Sequence, residues 1–255
     1  MRKVYETAAE AVADISTGAT LAVGGFGLSG IPETLIKALA ETDASDLRVV
    51  SNNCGTDEHG LGILLNAGKI SKMTSSYIGE NAEFARQYLG GELEVELCPQ
   101  GTIAERLRAG GCGIPAFYTP TGVGTLVGDG GLPLRYGAGG SIAKGSEPRE
   151  SREFGGRTYV LEHAIVVDFA LVHALRADES GNLVFRQSSR NFNPLVAMAG
   201  KVTIVEAEEI FPVGGLDPDL VHLPGLFVQR IVRVPADTQK TIEKLTVRAR
   251  KGAAA

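Results

Sequence analysis

Three side-chain amides stand where a parallel sheet would present them to a ligand. Asn52 and Asn53 follow the apolar run Arg48-Val49-Val50-Ser51, and Gln100 follows Leu93-Glu94-Val95-Glu96-Leu97 and the pair Cys98-Pro99. An amide donates and accepts hydrogen bonds without titrating. Such groups suit contacts to a bound ligand at a strand end. A glycine-rich stretch precedes them: Gly24, Gly25, Phe26, Gly27, Leu28, Ser29 and Gly30 follow the strand-like Thr20-Leu21-Ala22-Val23. They lead into a helix signalled by Pro32 at its first position and by Leu35, Ile36 and Leu39 on one face. Glycines let backbone N–H groups approach a ligand closely, and a helix N-terminus adds about half a positive charge. The stretch is therefore expected to hold a phosphorylated cofactor, or the acyl end of one.

Within it, Gly25-Phe26-Gly27-Leu28-Ser29-Gly30 matches G-x-G-x-x-G letter for letter. The dinucleotide fingerprint also needs an acid about 20 positions on, at the end of the next strand. That strand ends in Asn52-Asn53, and Asp46 lies before it, so nicotinamide binding is not expected. Nearby titrating residues have plainer readings beside the catalytic ones. Glu80, in Gly79-Glu80-Asn81, is the rival nucleophile, but it also suits the first turn of the following helix. Glu58 and His59 are adjacent, and adjacent residues rarely face each other. Cys54 has no basic neighbour to lower its pKa and reads as a small packing residue. His163, His173 and His222 show no ligand spacing with each other or with cysteine, so no metal is expected. Arg106, Arg108, Arg149 and Arg152 read as solvated charge, one of them a candidate for the phosphate of a ligand. Asn52 and Asn53 are also good turn formers, and Gln100, after a proline, a good capping residue; the residues alone leave both roles open.

The elements that must hold these groups are legible as alternating strands and helices. A helix from Thr7 to Ile15 precedes the first strand. The Arg48–Ser51 strand is followed by a polar loop, residues 51–60, and a short helix closed by Gly68. Met73–Tyr77 reads as a third strand, residues 82–89 as a helix, Leu93–Leu97 as a fourth strand, and Ile103–Ala109 as a helix stopped by Gly110-Gly111. This order implies an α/β fold, a mainly parallel sheet with right-handed crossover helices. Each polar loop then falls at the carboxyl edge of its strand, where open parallel sheets bind ligands. Regularity stops from Gly111 to about Glu153, a glycine-rich flap region. Beyond it come a hairpin through Gly155-Gly156, a strand at Phe169–His173, a turn at 178–182, a short helix after Asn191-Phe192-Asn193-Pro194, and strands at Val202–Val205 and Phe227–Val234. One domain, residues 1–240, and a C-terminal tail with a frayed helix, 241–255, are expected.

Composition bounds the partners. The 255 residues include 33 glycines, nearly twice the usual share of about 7%. A net charge of −5, without a basic stripe and interleaved aromatics, argues against nucleic-acid binding. No apolar stretch approaches the ~18 residues of a membrane span, and no signal-peptide pattern opens the chain. Three cysteines, an odd number without metal spacing, point to a reducing cytoplasm.

Taken together, Gly24-Gly25-Phe26-Gly27-x-x-Gly30-Ile31-Pro32, Ser51-Asn52-Asn53-x-Gly55, Ser76-Tyr77-x-Gly79-Glu80-Asn81 and Pro99-Gln100-Gly101-Thr102 resemble the A subunit of the two-subunit family I CoA-transferases. The 3-oxoacid (succinyl-CoA:acetoacetate) type is the nearest, with the 3-oxoadipate type as a relative. The resemblance continues through Gly113–Pro120 and Asn191–Pro194, from about residue 3 to 240. It implies reversible exchange of coenzyme A, a substrate, between an acyl-CoA and a 3-oxoacid through a glutamyl-CoA intermediate. It places the acylated glutamate in a homologous second chain, the B subunit, within a Ser-Glu-Asn-Gly stretch. The matching residues here are Ser51-Asn52-Asn53-Cys54-Gly55, with asparagine at the nucleophile's position. It nominates Gly24–Gly30 as the CoA-binding loop, Asn53 and Gln100 as oxyanion or substrate contacts, and Asn52 beside them. The implied assembly is α₂β₂. Two other classes remain as alternatives: a sugar-phosphate isomerase-like enzyme, which would need Glu80 or Asp57 as base, and a CoA- or nucleotide-binding regulatory subunit.

Overall fold

A computed structural model describes residues 3–79 and 81–238. Glu80 and the expected tail, 241–255, lie outside the described residues. Helix α1 (Ala8–Val12) is capped by Thr7, whose hydroxyl accepts the Glu10 N–H. The spacing predicts this helix as far as Ile15, but it ends at Val12. Arg230 donates to the Ala11 carbonyl at 2.7 Å and to both Asp14 oxygens, and the Ile15 N–H turns back to Val12 O at 3.0 Å. A guanidinium thus takes a carbonyl that a further helical turn would have used.

The expected alternation follows: β1 (Thr20–Val23), α2 (Glu33–Ala40), β2 (Leu47–Val50), α3 (Gly62–Asn66), β3 (Ile70–Ser75), α4 (Ala82–Leu89), β4 (Glu94–Leu97) and α5 (Gln100–Gly111). Pro32 is the residue before α2, not its first helical residue. Helix α5 is longer at both ends than the sequence predicts: it starts at Gln100 and runs through Gly110-Gly111. Those glycines are contact points, since a Cβ at Gly110 would sit 1.9 Å from Ile165 O and one at Gly111 2.4 Å from Met198 Cβ.

The segment after α5 departs from the expected irregular flap. It holds β5 (Ala116–Thr119), α6 (Leu126–Asp129), β6 (Pro133–Tyr136), β7 (Ile142–Gly145), β8 (Ser151–Phe154) and β9 (Arg157–His163). They form two small antiparallel sheets, β5-β9-β8 and β6-β7. The hairpin through Gly155 (φ +56°) and Gly156 (φ +75°) forms as expected, two positive-φ residues joining Phe154 to Arg157. Every residue of β8 is exposed, which removes the apolar alternation that would have announced a strand. The base of this region is tied to the body by charge. Arg106 donates to His163 O at 2.9 Å and to Glu96 at 2.7 Å, while Arg149 pairs with the buried Glu162.

The chain then returns through β10 (Val167–Asp178), β11 (Leu183–Val184), α7 (Asn193–Ala199), β12 (Gly200–Phe211) and β13 (Arg230–Arg233). The main sheet runs β13-β12-β10-β1-β2-β3-β4, every pair parallel, with β11 antiparallel on β10. Leu21 and Val23 enter the core shared with α1–α4, while Ala22 enters the core shared with α5 and α7. Strands buried on both faces explain the continuous apolar runs. The chain leaves β1 toward β2–β4 and comes back on its other side at β10. The glycine loop after β1 therefore lies at the topological switch point, where such sheets bind ligands.

Phe84 on α4 heads the fully buried side chains, at 0% exposure. Phe84→Ala is expected to destabilise the chain by about 3–5 kcal/mol, the cost of lost transfer energy plus a cavity. Urea unfolding of both proteins measures it.

Candidate active site

The three amides singled out in the sequence meet. Gln100 Nε2 donates to Asn52 Oδ1 at 2.7 Å, and Asn52 Nδ2 reaches Asn53 Oδ1 at 3.4 Å. Asn53 Oδ1 also accepts the Gly27 N–H at 3.0 Å. A relay of amides thus joins the first residue of α5, the loop after β2 and the glycine loop after β1. Ser76 Oγ donates to Asn52 Oδ1 at 2.9 Å, and Ser75 Oγ to Asn52 O at 2.9 Å, adding the end of β3. Asn52 and Asn53 are 1% and 6% exposed, whereas Gln100 is exposed. Among the described residues Asn53 Nδ2 has Gly55 O alone, at 3.5 Å, the limit of a hydrogen bond. It is the most weakly engaged donor of the relay, just behind Asn52 Nδ2 at 3.4 Å.

The glycine loop is a tight hairpin of its own, with Phe26 and Ser29 exchanging backbone bonds of 3.0 Å each way. Gly24 N–H is spent on Leu171 O at 3.0 Å. The N–H groups of Gly25, Leu28 and Gly30 have no partner among the described residues. Phe26 is half exposed. The expected contribution of the α2 N-terminus is a different matter. Glu206 Oε2 accepts the buried Leu35 N–H at 3.0 Å, so the protein's own carboxylate answers the first turn of α2. One N–H of that turn is thus spent within the protein, and the backbone donors of the loop remain for a ligand.

Behind the loop stands Asn193, 0% exposed. Its Oδ1 accepts His173 N–H at 3.0 Å, and its Nδ2 donates to Gly30 O at 2.9 Å and Ser189 O at 2.8 Å. The sequence motif Asn191–Pro194 drew attention to this residue without a role for it. His173 lies between two glutamates, Nδ1 to Glu206 at 2.8 Å and Nε2 to Glu208 at 3.2 Å. Burial opposes its charged form, but the hydrogen bonds and charges of Glu206 and Glu208 outweigh burial and hold its pKa above the ordinary value.

The other candidates sit elsewhere or are engaged. Asp57 accepts the Glu83 N–H at 3.0 Å and so serves α4, while Asn81 caps the same helix through Phe84 N–H at 2.8 Å. Asn81 Nδ2 also donates to Cys54 O at 3.1 Å, binding the 51–60 loop to α4. His59 faces Glu33, 3.9 Å away. Cys54 is fully buried, and burial pushes its thiol up to about 12. Glu80, the rival nucleophile, lies outside the described residues. Two of the arginines correct the reading as solvated charge: Arg106 and Arg149 belong to the half-buried cluster around Glu162, whereas Arg108 pairs with Glu105 at 2.6 Å and Arg152 lies over the Phe154 ring. No group of three or more metal-ligating side chains occurs among the described residues, and no helix among them is long and apolar enough to cross a membrane.

The coenzyme A transferase family model matches residues 5–234. The A subunit of a probable succinyl-CoA:3-ketoacid coenzyme A transferase of Mycobacterium tuberculosis is 61% identical over 248 residues, covering 97% of this chain and 100% of the relative. The human mitochondrial succinyl-CoA:3-ketoacid coenzyme A transferase 2 is 54% identical over 245 residues, 96% of this chain but 47% of that one. Among solved structures, an acyl-CoA transferase of Escherichia coli O157:H7, in a thioester complex with CoA, shares the fold with a TM-score of 0.77 at 24% identity. That match covers 94% of this chain and 48% of the other. The chain thus spans about half the length of the human and E. coli proteins it matches.

The His173 pair has a pH signature. A raised folded-state pKa means that the folded protein binds the proton more tightly than the unfolded chain. The stabilisation is present in full below the ordinary imidazole pKa and is lost as pH rises through the folded value. Thermal unfolding between about pH 6 and about pH 9 should show this loss in the wild type. His173→Gln should flatten that part of the profile.

Proposed function

The chain belongs to the coenzyme A transferase family, and from that premise we propose that it is the A subunit of a two-chain enzyme exchanging coenzyme A between succinyl-CoA and a 3-oxoacid such as acetoacetate. The full-length relatives named as A subunits support the two-chain form. On this chain, the observation that carries the reading is the amide relay Gln100–Asn52–Asn53–Gly27, which offers donors at the strand ends and no acylatable group.

The nucleophile is then a glutamate of the homologous B subunit. Its carboxylate attacks the thioester carbonyl, the C–S bond breaks, and CoA leaves as thiolate, giving an acyl-glutamyl anhydride. The thiolate attacks the glutamyl carbonyl of that anhydride, releasing the first acid and leaving a glutamyl-CoA thioester. The second acid's carboxylate attacks this thioester and displaces the thiolate, which takes the new acyl group and frees the glutamate. Every attack places negative charge on a carbonyl oxygen. Asn53 Nδ2, with its weak 3.5 Å contact, is the donor assigned to that charge. Asn52 and Gln100 hold Asn53 in orientation and line the acyl side. The CoA ester lies along Gly24–Gly30, where unspent N–H groups face it. Three free thiols fit a reducing cytoplasm, and the assembly proposed is α₂β₂.

Purified without its companion chain, this polypeptide should show no transferase activity, and adding that chain should restore it. Borohydride reduction of the enzyme thioester should then modify a glutamate of the companion chain; a label on any glutamate of this chain would overturn the reading. In the reconstituted enzyme, Asn53→Ala should lower kcat by roughly 10² for one lost donor, and Gln100→Ala should lower it in the same direction. Unchanged rates in both would remove these residues from the site.

A further inference from the structure

Nothing in the proposed chemistry uses Asn193, yet this amide is buried completely under the glycine loop. It reaches no solvent and so cannot contact a ligand in the cleft. Its polar atoms are all committed: the oxygen to His173 N–H on β10, the nitrogen to Gly30 O and Ser189 O. The loop is built around it. A Cβ on Gly24 would lie 1.9 Å from Asn193 Oδ1, and one on Gly30 would lie 2.9 Å from Asn193 Nδ2. Contacts this close cannot be accommodated without a shift, so both ends of the loop reach their positions only because glycine and Asn193 share that space. A second tie comes from the neighbouring Asn191, whose Nδ2 donates to Ser29 O at 2.9 Å. A third is Ser29 Oγ with Ser188 Oγ at 3.1 Å.

We propose that Asn193 is the positioning residue of the glycine loop. It fixes the Gly24 and Gly30 ends of the loop against β10, and so sets the direction in which the loop's unspent N–H groups meet the CoA ester. The inference rests on the reading of Gly24–Gly30 as the CoA-binding loop. The amide is the side chain for this place because it must accept at one arm and donate twice at the other, while carrying no charge into a site with 0% exposure. Aspartate has the shape and the acceptor but would set a carboxylate oxygen against two carbonyl oxygens. Alanine leaves three backbone groups without a partner and opens room beside Gly24.

The test uses the reconstituted two-chain enzyme with Asn193→Ala, Gly24→Ala, the double variant and the isosteric Asn193→Asp. Asn193→Ala should raise KM for the acyl-CoA roughly 10-fold with kcat changed far less, the value of about one well-placed interaction. Gly24→Ala should raise the same KM by more. In the double variant the two effects should not multiply, because removing Asn193 makes room for the new Cβ. Should Asn193→Ala fail to fold, Asn193→Asp carries the same expectation, a raised acyl-CoA KM. A folded Asn193 variant with an unchanged KM and only a lower Tm would show a structural residue and overturn the proposal. So would effects that multiply fully. If Gly24→Ala raises KM while Asn193 variants do not, the loop binds CoA and only the role of Asn193 fails. If Gly24→Ala leaves the acyl-CoA KM unchanged, the CoA-loop reading itself fails and takes the proposal with it.

Discussion

A single oxygen atom joins the two halves of the site. Asn53 Oδ1 accepts from Gly27 N–H on one side and from Asn52 Nδ2 on the other, so the loops after β1 and β2 close on one acceptor. A carboxylate there would carry a charge to be desolvated, and a hydroxyl would lack the second arm. Because Asn52 and Asn53 are almost wholly buried, their polar atoms must find partners within the protein, and this brings Ser76, Gln100 and Gly27 into fixed places. A buried polar network specifies geometry when its members are satisfied. The most weakly engaged donor, Asn53 Nδ2, is also a group with something to gain from a ligand oxygen.

Much of this was legible in the sequence, and the reasons differ by element. β1 shows as Leu21-Ala22-Val23 because a strand covered on both faces has no polar side to display. α4 shows through Asn81 and the spacing of Phe84 and Tyr88. The carboxyl-edge placement of the amides follows from strand order alone. β10 and β12, by contrast, run well past the predicted Phe169–His173 and Val202–Val205. Beyond those bounds they carry Arg176, Glu206 and Glu209, and charged groups pair across the ladder, Glu206 with His173 and Arg176 with Glu209. Cross-strand charge pairs hold such segments in the sheet as well as apolar ones would, but they erase the hydrophobic pattern. β8 escapes for a related reason, since all its residues face water. The partnership of Gly24 with Asn193 lies beyond any local pattern, because only the fold brings the two together.

Among the described residues, the hydrogen bonds of the amide relay go to uncharged groups. Glu206 is held on the Leu35 N–H and on His173. The largest concentration of ions is at the base of the two small sheets, where Glu96, Arg106, Arg149 and Glu162 meet. Glu162 is the costliest of them: it is fully buried, its Oε1 has no partner among the described residues, and burial raises its pKa despite Arg149 and Arg106. Such a cluster is weak evidence for stability, since desolvation offsets most of the attraction. Its geometry fixes instead how the 116–163 region leaves the body, through Arg106 on α5 and His163 on β9.

The separation of charge from amides bears on why the proposed nucleophile belongs on another chain. Fixed donors that stabilise an oxyanion would also stabilise a resting carboxylate held among them, lowering its pKa and its nucleophilicity together. A set of donors helps only if it meets the charge where it develops and not where it starts. Here the donors are buried in one polypeptide and preset by Gln100, Ser76 and the glycine loop; of the two carboxylates in the Ser51–Gly60 loop, Asp57 is committed to α4 and Glu58 is exposed. In the proposed two-chain enzyme, a glutamate of the companion chain attacks a thioester whose oxygen lies on those donors, so the acid and the oxyanion donors come from different elements of the assembled site.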